Sequence, residues 1–199
     1  MSSENIPGHS AISWLYDAFL AANPPRNATV VECGVALGRS IAYLCERAEA
    51  CGRDDLQIYA VDPLCGSHRN GEQQDMADRY GGDFALYARY MMENAPLAFE
   101  RVRLLRVTSL EASRWLLHPQ LVVLDDDHSY EAVRDELVAW HHADWIGGDD
   151  HCPDFPGVER AVRERFGDNY EYRERGGPWF EPERWIKGTW LHRGRDWRE

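Results

Sequence analysis

No stretch of the 199 residues approaches the roughly 18 consecutive apolar residues of a membrane span, and residues 1–7 carry no basic segment leading into an apolar run. A soluble, cytoplasmic chain with no membrane partner is expected. Positive charge is scarce as well: 22 Lys and Arg face 34 Asp and Glu, for a formal net charge of -12. Proteins that grip a phosphate backbone draw affinity from clustered cations that release counterions, so this balance argues against nucleic acid as a partner. Cysteine pairing is missing too. Cys33, Cys45, Cys51, Cys65 and Cys152 form no C-x-x-C pair and are odd in number, which speaks against a disulfide framework or a zinc site and for reduced thiols throughout. Neither repeats nor low-complexity tracts nor Ser/Gly-rich linkers divide the chain, so residues 1–199 read as one domain. With 44% hydrophobic residues, that domain can bury a full core.

What the sequence does hold is an alternation of short apolar runs and helical stripes. Residues 10–22 bring Ile12, Leu15, Phe19 and Leu20 near one helical face before Asn23-Pro24-Pro25 breaks the pattern. Residues 28–33, 57–61, 102–107 and 121–124 suit buried parallel strands. Helical spacing recurs in Ile41, Leu44, Cys45 and Ala48, again in Val133, Leu137 and Trp140 behind the N-cap candidate Ser129, and once more over 158–166. This order predicts an α/β fold: a Rossmann-like doubly wound sheet, mostly parallel, closed by a C-terminal antiparallel hairpin of 170–175 and 188–192. Residues 63–97, with a helix near 84–92, exceed what a strand-to-helix connection needs and are expected to form a lid or insertion over a ligand, while 193–199 is expected to be a disordered tail.

The segment Glu32-Cys33-Gly34-Val35-Ala36-Leu37-Gly38 puts small residues at a strand-to-helix turn, where a ligand can touch the backbone. The next strand ends on Asp62, a carboxylate able to accept hydrogen bonds from both hydroxyls of a ribose. Together they imply a nucleoside cofactor. The nicotinamide fingerprint G-x-G-x-x-G would need glycines where Ala36 and Arg39 stand, and so is not met. E-x-G-x-x-x-G over Glu32, Gly34 and Gly38, followed by Asp62, resembles motifs one and two of class I methyltransferases. The resemblance implies S-adenosylmethionine as cofactor, with Gly34 and Gly38 against its methionine and ribose parts, Asp62 on the ribose and Glu32 orienting the amino acid end. Ser109, after the third strand, matches a position near the adenine, although Val107-Thr108 replace the Gly-Asp often found before it.

A second constellation is acidic. Asp125-Asp126-Asp127-His128 follows an apolar strand, at the carboxyl end where open α/β sheets bind ligands. Continued strand geometry would project Asp125 and Asp127 together and turn Asp126 away. Asp149-Asp150 arrives one helix and one short apolar segment later, at the same edge of a parallel sheet. Like charges crowded together resist joint ionisation, so such a cluster is stable near neutral pH chiefly around a cation. All-oxygen donors favour magnesium, manganese or calcium over zinc. Solvated turn and capping aspartates are the alternative.

Residues 124–131, 147–150 and 156–162 resemble a metal-dependent subgroup of class I methyltransferases that includes antibiotic sugar O-methyltransferases and cephalosporin-hydroxylase-like proteins. The resemblance covers about residues 28–166. It implies that Asp125, Asp149 and Asp150 hold a divalent metal, magnesium first, and that Asp127 is the general base, with His128 as alternative. Asp126 stands where that subgroup has glycine, and Gly147-Gly148 abut the acid pair directly, so a short or displaced fifth strand is expected. The implied activity is S-adenosylmethionine-dependent O-methylation of a hydroxyl on a small molecule, sugar or natural-product-like. A non-catalytic binding protein that keeps the fold and the nucleoside pocket is the alternative, and a homo-oligomer is allowed. His151, beside the acid pair, could approach substrate; His141 and His142 are expected to end a helix. Trp179, Trp185, Trp190 and Trp197 suit either the wall of an acceptor pocket or hairpin packing.

Overall fold

The computed structural model describes residues 2–6, 11–65, 78, 81, 101–175 and 187–195. Its strands are β1 (Thr29–Cys33), β2 (Gln57–Val61), β3 (Val102–Leu105), β4 (Leu121–Leu124), β5 (Trp145–Gly148), β6 (Glu171–Arg175) and β7 (Lys187–Arg193). They form one sheet in the order β3-β2-β1-β4-β5-β7-β6. β1 to β5 run parallel, and β7 inserts antiparallel between β5 and β6. The helices are α1 (Ser13–Ala21), α2 (Arg39–Ala50), α3 (Ser109–Ala112), α4 (Tyr130–Ala139) and α5 (Pro156–Phe166). The doubly wound sheet and its closing hairpin match the expectation from the sequence.

Alternation along the strands divides the core. Val30, Ile58, Leu121 and Val123 pack on one face with Leu15, Phe19, Ile41 and Leu44 of α1 and α2. Val31, Val122 and Ile146 meet Val133, Leu137, Val158 and Val162 of α4 and α5 on the other. Both faces of the parallel strands are covered, which is why they read as continuous apolar runs. At 9 residues, α1 is too short to be stable alone. Burial of Leu15, Tyr16 and Phe19, at roughly 2 kcal/mol per side chain, holds it in place.

Several boundaries differ from expectation for local reasons. β3 stops at Leu105, and Thr108 instead caps α3 through a reciprocal bond with Glu111. α5 starts two residues early because Pro156 is suited to the first helical turn. Gly147 and Gly148 are themselves strand residues: a Cβ on Gly147 would lie 2.6 Å from the Trp190 carbonyl oxygen, and one on Gly148 2.5 Å from that of Leu124. β5 is therefore four residues long but lies in its regular place between β4 and β7. Cys33, Cys45 and Cys152 are buried and Cys51 and Cys65 exposed, and none of the five is in a disulfide. Among the described residues no helix is long and apolar enough to cross a membrane. Most of the expected lid at 63–97, the helix near 84–92, Trp179, Trp185, Trp197 and the end of the tail lie outside the described residues.

Candidate active site

Parallel register aligns the last residues of the central strands, Cys33 with Val61 and Leu124, and Leu124 with Gly148. The next residue of each strand continues the ladder. Gly34 N–H donates to the Val61 carbonyl at 2.9 Å, Asp62 to Leu105 at 3.1 Å, Asp125 to Cys33 at 2.8 Å and Asp149 to Leu124 at 3.2 Å. Gly34, Asp62, Asp125 and Asp149 thus form one row along the carboxyl edge of the sheet. Two motif sets far apart in sequence are brought together by this register alone.

On the β1–β2 side every carboxylate has defined donors. Gly34 has φ +83, and a Cβ there would fall 2.2 Å from the Asp125 carbonyl oxygen, so only glycine lets the turn lean on the end of β4. Gly38, φ 82, opens α2 in the left-handed region. Asp62 Oδ2 accepts from Val35 and Ala36 N–H, both at 3.0 Å, and Oδ1 accepts from Leu64 N–H at 2.7 Å. Burial raises its pKa and these three backbone bonds oppose the rise. An ionised carboxylate has about four acceptor positions, which leaves room for a ribose hydroxyl beside the loop it already holds.

Glu32 is completely buried, its carboxylate bonded by the Tyr16 and Ser40 hydroxyls. Loss of water raises its pKa to about 7 despite those bonds. Ser109 is buried at the start of α3, where it accepts the Trp140 indole N–H at 2.9 Å. Tyr16 and Ser40 escaped the sequence reading. Tyr16 could have been found: it follows Ile12 by four positions and precedes Phe19 by three, the spacing of a shared helical face.

The β4–β5 side is different. β4 ends at Leu124, so strand alternation does not persist into the acidic run. Asp126 and Asp127 consequently line the same cavity of about 10 Å³, room for roughly one water, together with His128, Glu136, Asp149 and Trp190. Asp127 Oδ1 also accepts from Ser129 N–H at 2.8 Å, a turn that precedes α4. Asp126 lies against Glu136 of α4, and burial raises the pKa of both. Asp126 Oδ1 and both Glu136 carboxyl oxygens are buried without a conventional donor. Two such groups can bond each other only if one keeps a proton. Glu136, three residues after Val133 and four before Trp140, was detectable as an acid on the inner stripe of the helix.

Asp150 has φ 54, unusual for a side-chain-bearing residue, and is buried. His128 Nε2 meets its Oδ2 at 3.1 Å. The imidazole also packs edge-on against Phe155, with ring centroids 4.9 Å apart. Asp125, Asp149 and Asp150 share the edge, as expected, but among the described residues no three His, Cys, Asp or Glu side chains converge in an arrangement that would hold a metal ion. Donor chemistry fits a hard divalent cation; a closed site is not formed. His141 and His142 follow the C-cap Trp140 of α4, bonding the Val138 and Leu116 carbonyls. Trp190 is a core residue.

The model of a methyltransferase domain family matches residues 31–148. The chain belongs to that family. This methyltransferase uses S-adenosylmethionine, and its sheet order is that of the class I fold. Comparison with curated protein sequences gives no match. Solved structures share the fold at low identity. The O-methyltransferase NovP superposes with a TM-score of 0.63 at 20% identity, over 91% of this chain and 77% of NovP. CalS11, a calicheamicin methyltransferase, gives 0.61 at 19% identity over 94% of this chain and 79% of its own. Cofactor-bound Rv0187 from MTB gives 0.58 at 16% identity, over 96% and 86%.

Proposed function

We propose that this methyltransferase transfers the methyl group of S-adenosylmethionine to a hydroxyl of a small molecule, sugar or natural-product-like, with a divalent cation at the acidic edge. The observation that carries the proposal is the single row of Gly34, Asp62, Asp125 and Asp149, which sets a nucleoside-type turn beside an acid cluster. The O-methyltransferase neighbours support oxygen as the acceptor atom, and the net charge of -12 supports a small molecule over a nucleic acid. A cytoplasmic, membrane-free setting belongs to the same proposal.

Methyl transfer from a sulfonium needs an oxygen in line with the S–CH3 bond, so positioning is most of the task. The oxygen must also lose its proton. For an aliphatic hydroxyl resembling water, ionisation at pH 7 costs roughly 12 kcal/mol, beyond a lone carboxylate base. Asp127 takes that proton, or in its place His128, whose imidazole Asp150 orients. Asp125, Asp149 and Asp150 would hold magnesium only once their carboxylates close together, and a cation bound there would lower the pKa of a coordinated hydroxyl. Gly34 and Gly38 keep the backbone open to the cofactor, and Asp62 holds the ribose.

Calorimetric titration with S-adenosylmethionine and its demethylated product should show binding that Asp62→Ala weakens by at least about tenfold. Transfer to a panel of hydroxyl compounds should fall in chelator and in Asp125→Ala while cofactor binding persists. Absence of cofactor binding would sink the proposal as a whole, undiminished transfer in chelator would remove the cation, and binding without any transfer would favour the non-catalytic alternative.

A further inference from the structure

Immediately after Asp149-Asp150 the chain enters a second cavity, about 390 Å³, between α5 and β6. That volume falls within the range of small-molecule pockets. Its wall is built by an aromatic group. His151 is buried, its ring centroid 5.4 Å from that of Tyr170 and 5.0 Å from that of Tyr172, and its Nε2 lies 3.0 Å from the Tyr170 hydroxyl. The His151 N–H donates to the Gly188 carbonyl at 2.8 Å. Gly188 is required for this assembly: a Cβ there would sit 2.1 Å from the His151 carbonyl oxygen and 2.3 Å from the Tyr172 ring.

The charges around these rings are unequal. Glu159, Arg163 and Asp168 line the cavity, and Arg163 is already paired with Glu159 at 3.0 Å. Two carboxylates against one guanidinium leave a negative excess. An anionic ligand would meet Asp168 and find Arg163, the one guanidinium among the described residues of the wall, engaged. A cation meets two tyrosine rings and a free share of carboxylate charge, the combination that binds organic ammonium groups through cation–π attraction.

We propose that this cleft is a binding site for an organic ammonium group. Placing that group on the methyl acceptor rests on the hydroxyl-transfer function above; the ammonium has no lone pair to methylate, so seating it here would present the other end of the molecule for reaction.

Tyramine, p-cresol and 4-hydroxyphenylacetate share a phenol and differ in the charge of the second substituent. Calorimetry of the full chain without cofactor should give the tightest binding for tyramine, about tenfold over p-cresol, with the acid weakest. Tyr172→Leu and Asp168→Asn, both at exposed positions and hence compatible with folding, should each weaken tyramine about fivefold or more. Equal affinity for tyramine and p-cresol, absence of binding by all three, or indifference to both substitutions overturns the site. Methyl label reaching the phenol oxygen is read separately: tyramine binding without label keeps the cleft and counts against hydroxyl transfer.

Discussion

The two halves of the carboxyl edge treat negative charge in opposite ways. At β1 and β2 each acid is matched: Glu32 by two hydroxyls, Asp62 by three backbone N–H groups. Behind β4 two buried carboxyls, Asp126 and Glu136, face each other without a conventional donor between them. Buried polar groups that are fully bonded rigidify a site, whereas crowded carboxyls destabilise it until a proton or cation intervenes. The nucleoside side is therefore set in advance, and the acidic side remains responsive to what enters.

The largest test of this contrast strikes the contact that joins the two halves. Gly34→Ala forces a methyl group into the Asp125 carbonyl and should cost about 3 kcal/mol or more in urea denaturation, with loss of cofactor binding. Glu32→Gln comes next. An unfolded chain releases the Glu32 proton near 4.5 and the folded chain near 7, so wild-type stability falls as pH rises between those values. The variant should lack that fall and be more stable above pH 7 by up to about 3 kcal/mol, measured as denaturation midpoints from pH 4 to 8. Asp62→Ala strips the acceptor from three N–H groups and should cost about 2 kcal/mol by the same assay. Smallest, and stabilising like Glu32→Gln, Glu136→Gln supplies a donor to Asp126 and should add about 1 kcal/mol at pH 7.5. A loss there would mean that Glu136 already has a donor in the folded protein.

Much of this was legible in sequence because period carries topology. The continuous runs at β2 and β4 gave their bounds, and the motif turn marked Gly34, Gly38 and Asp62. What escaped depends on contacts across long separations. Tyr16 reaching Glu32, and Asp126 turning inward to meet Glu136, follow from how α1 and α4 seat on the sheet, not from neighbouring residues. Asp126 was misdirected by extending strand alternation one residue too far. The glycines of β5 pointed to a short or displaced strand; it is short but in place, because their packing role lies against the backbone of β4 and β7.

α1 touches strands from both ends of the chain. Tyr16 bonds Glu32 on β1, the Phe19 ring meets Trp145 on β5 edge-on at 6.0 Å, and the Trp14 indole bonds Thr189 on β7, 175 positions away. Closing contacts of that separation requires every residue between them to be in hand, which slows folding. On the ribosome, α1 would wait beside an incomplete sheet until β7 emerges to slot between β5 and β6, making the β6–β7 hairpin the timekeeper of assembly.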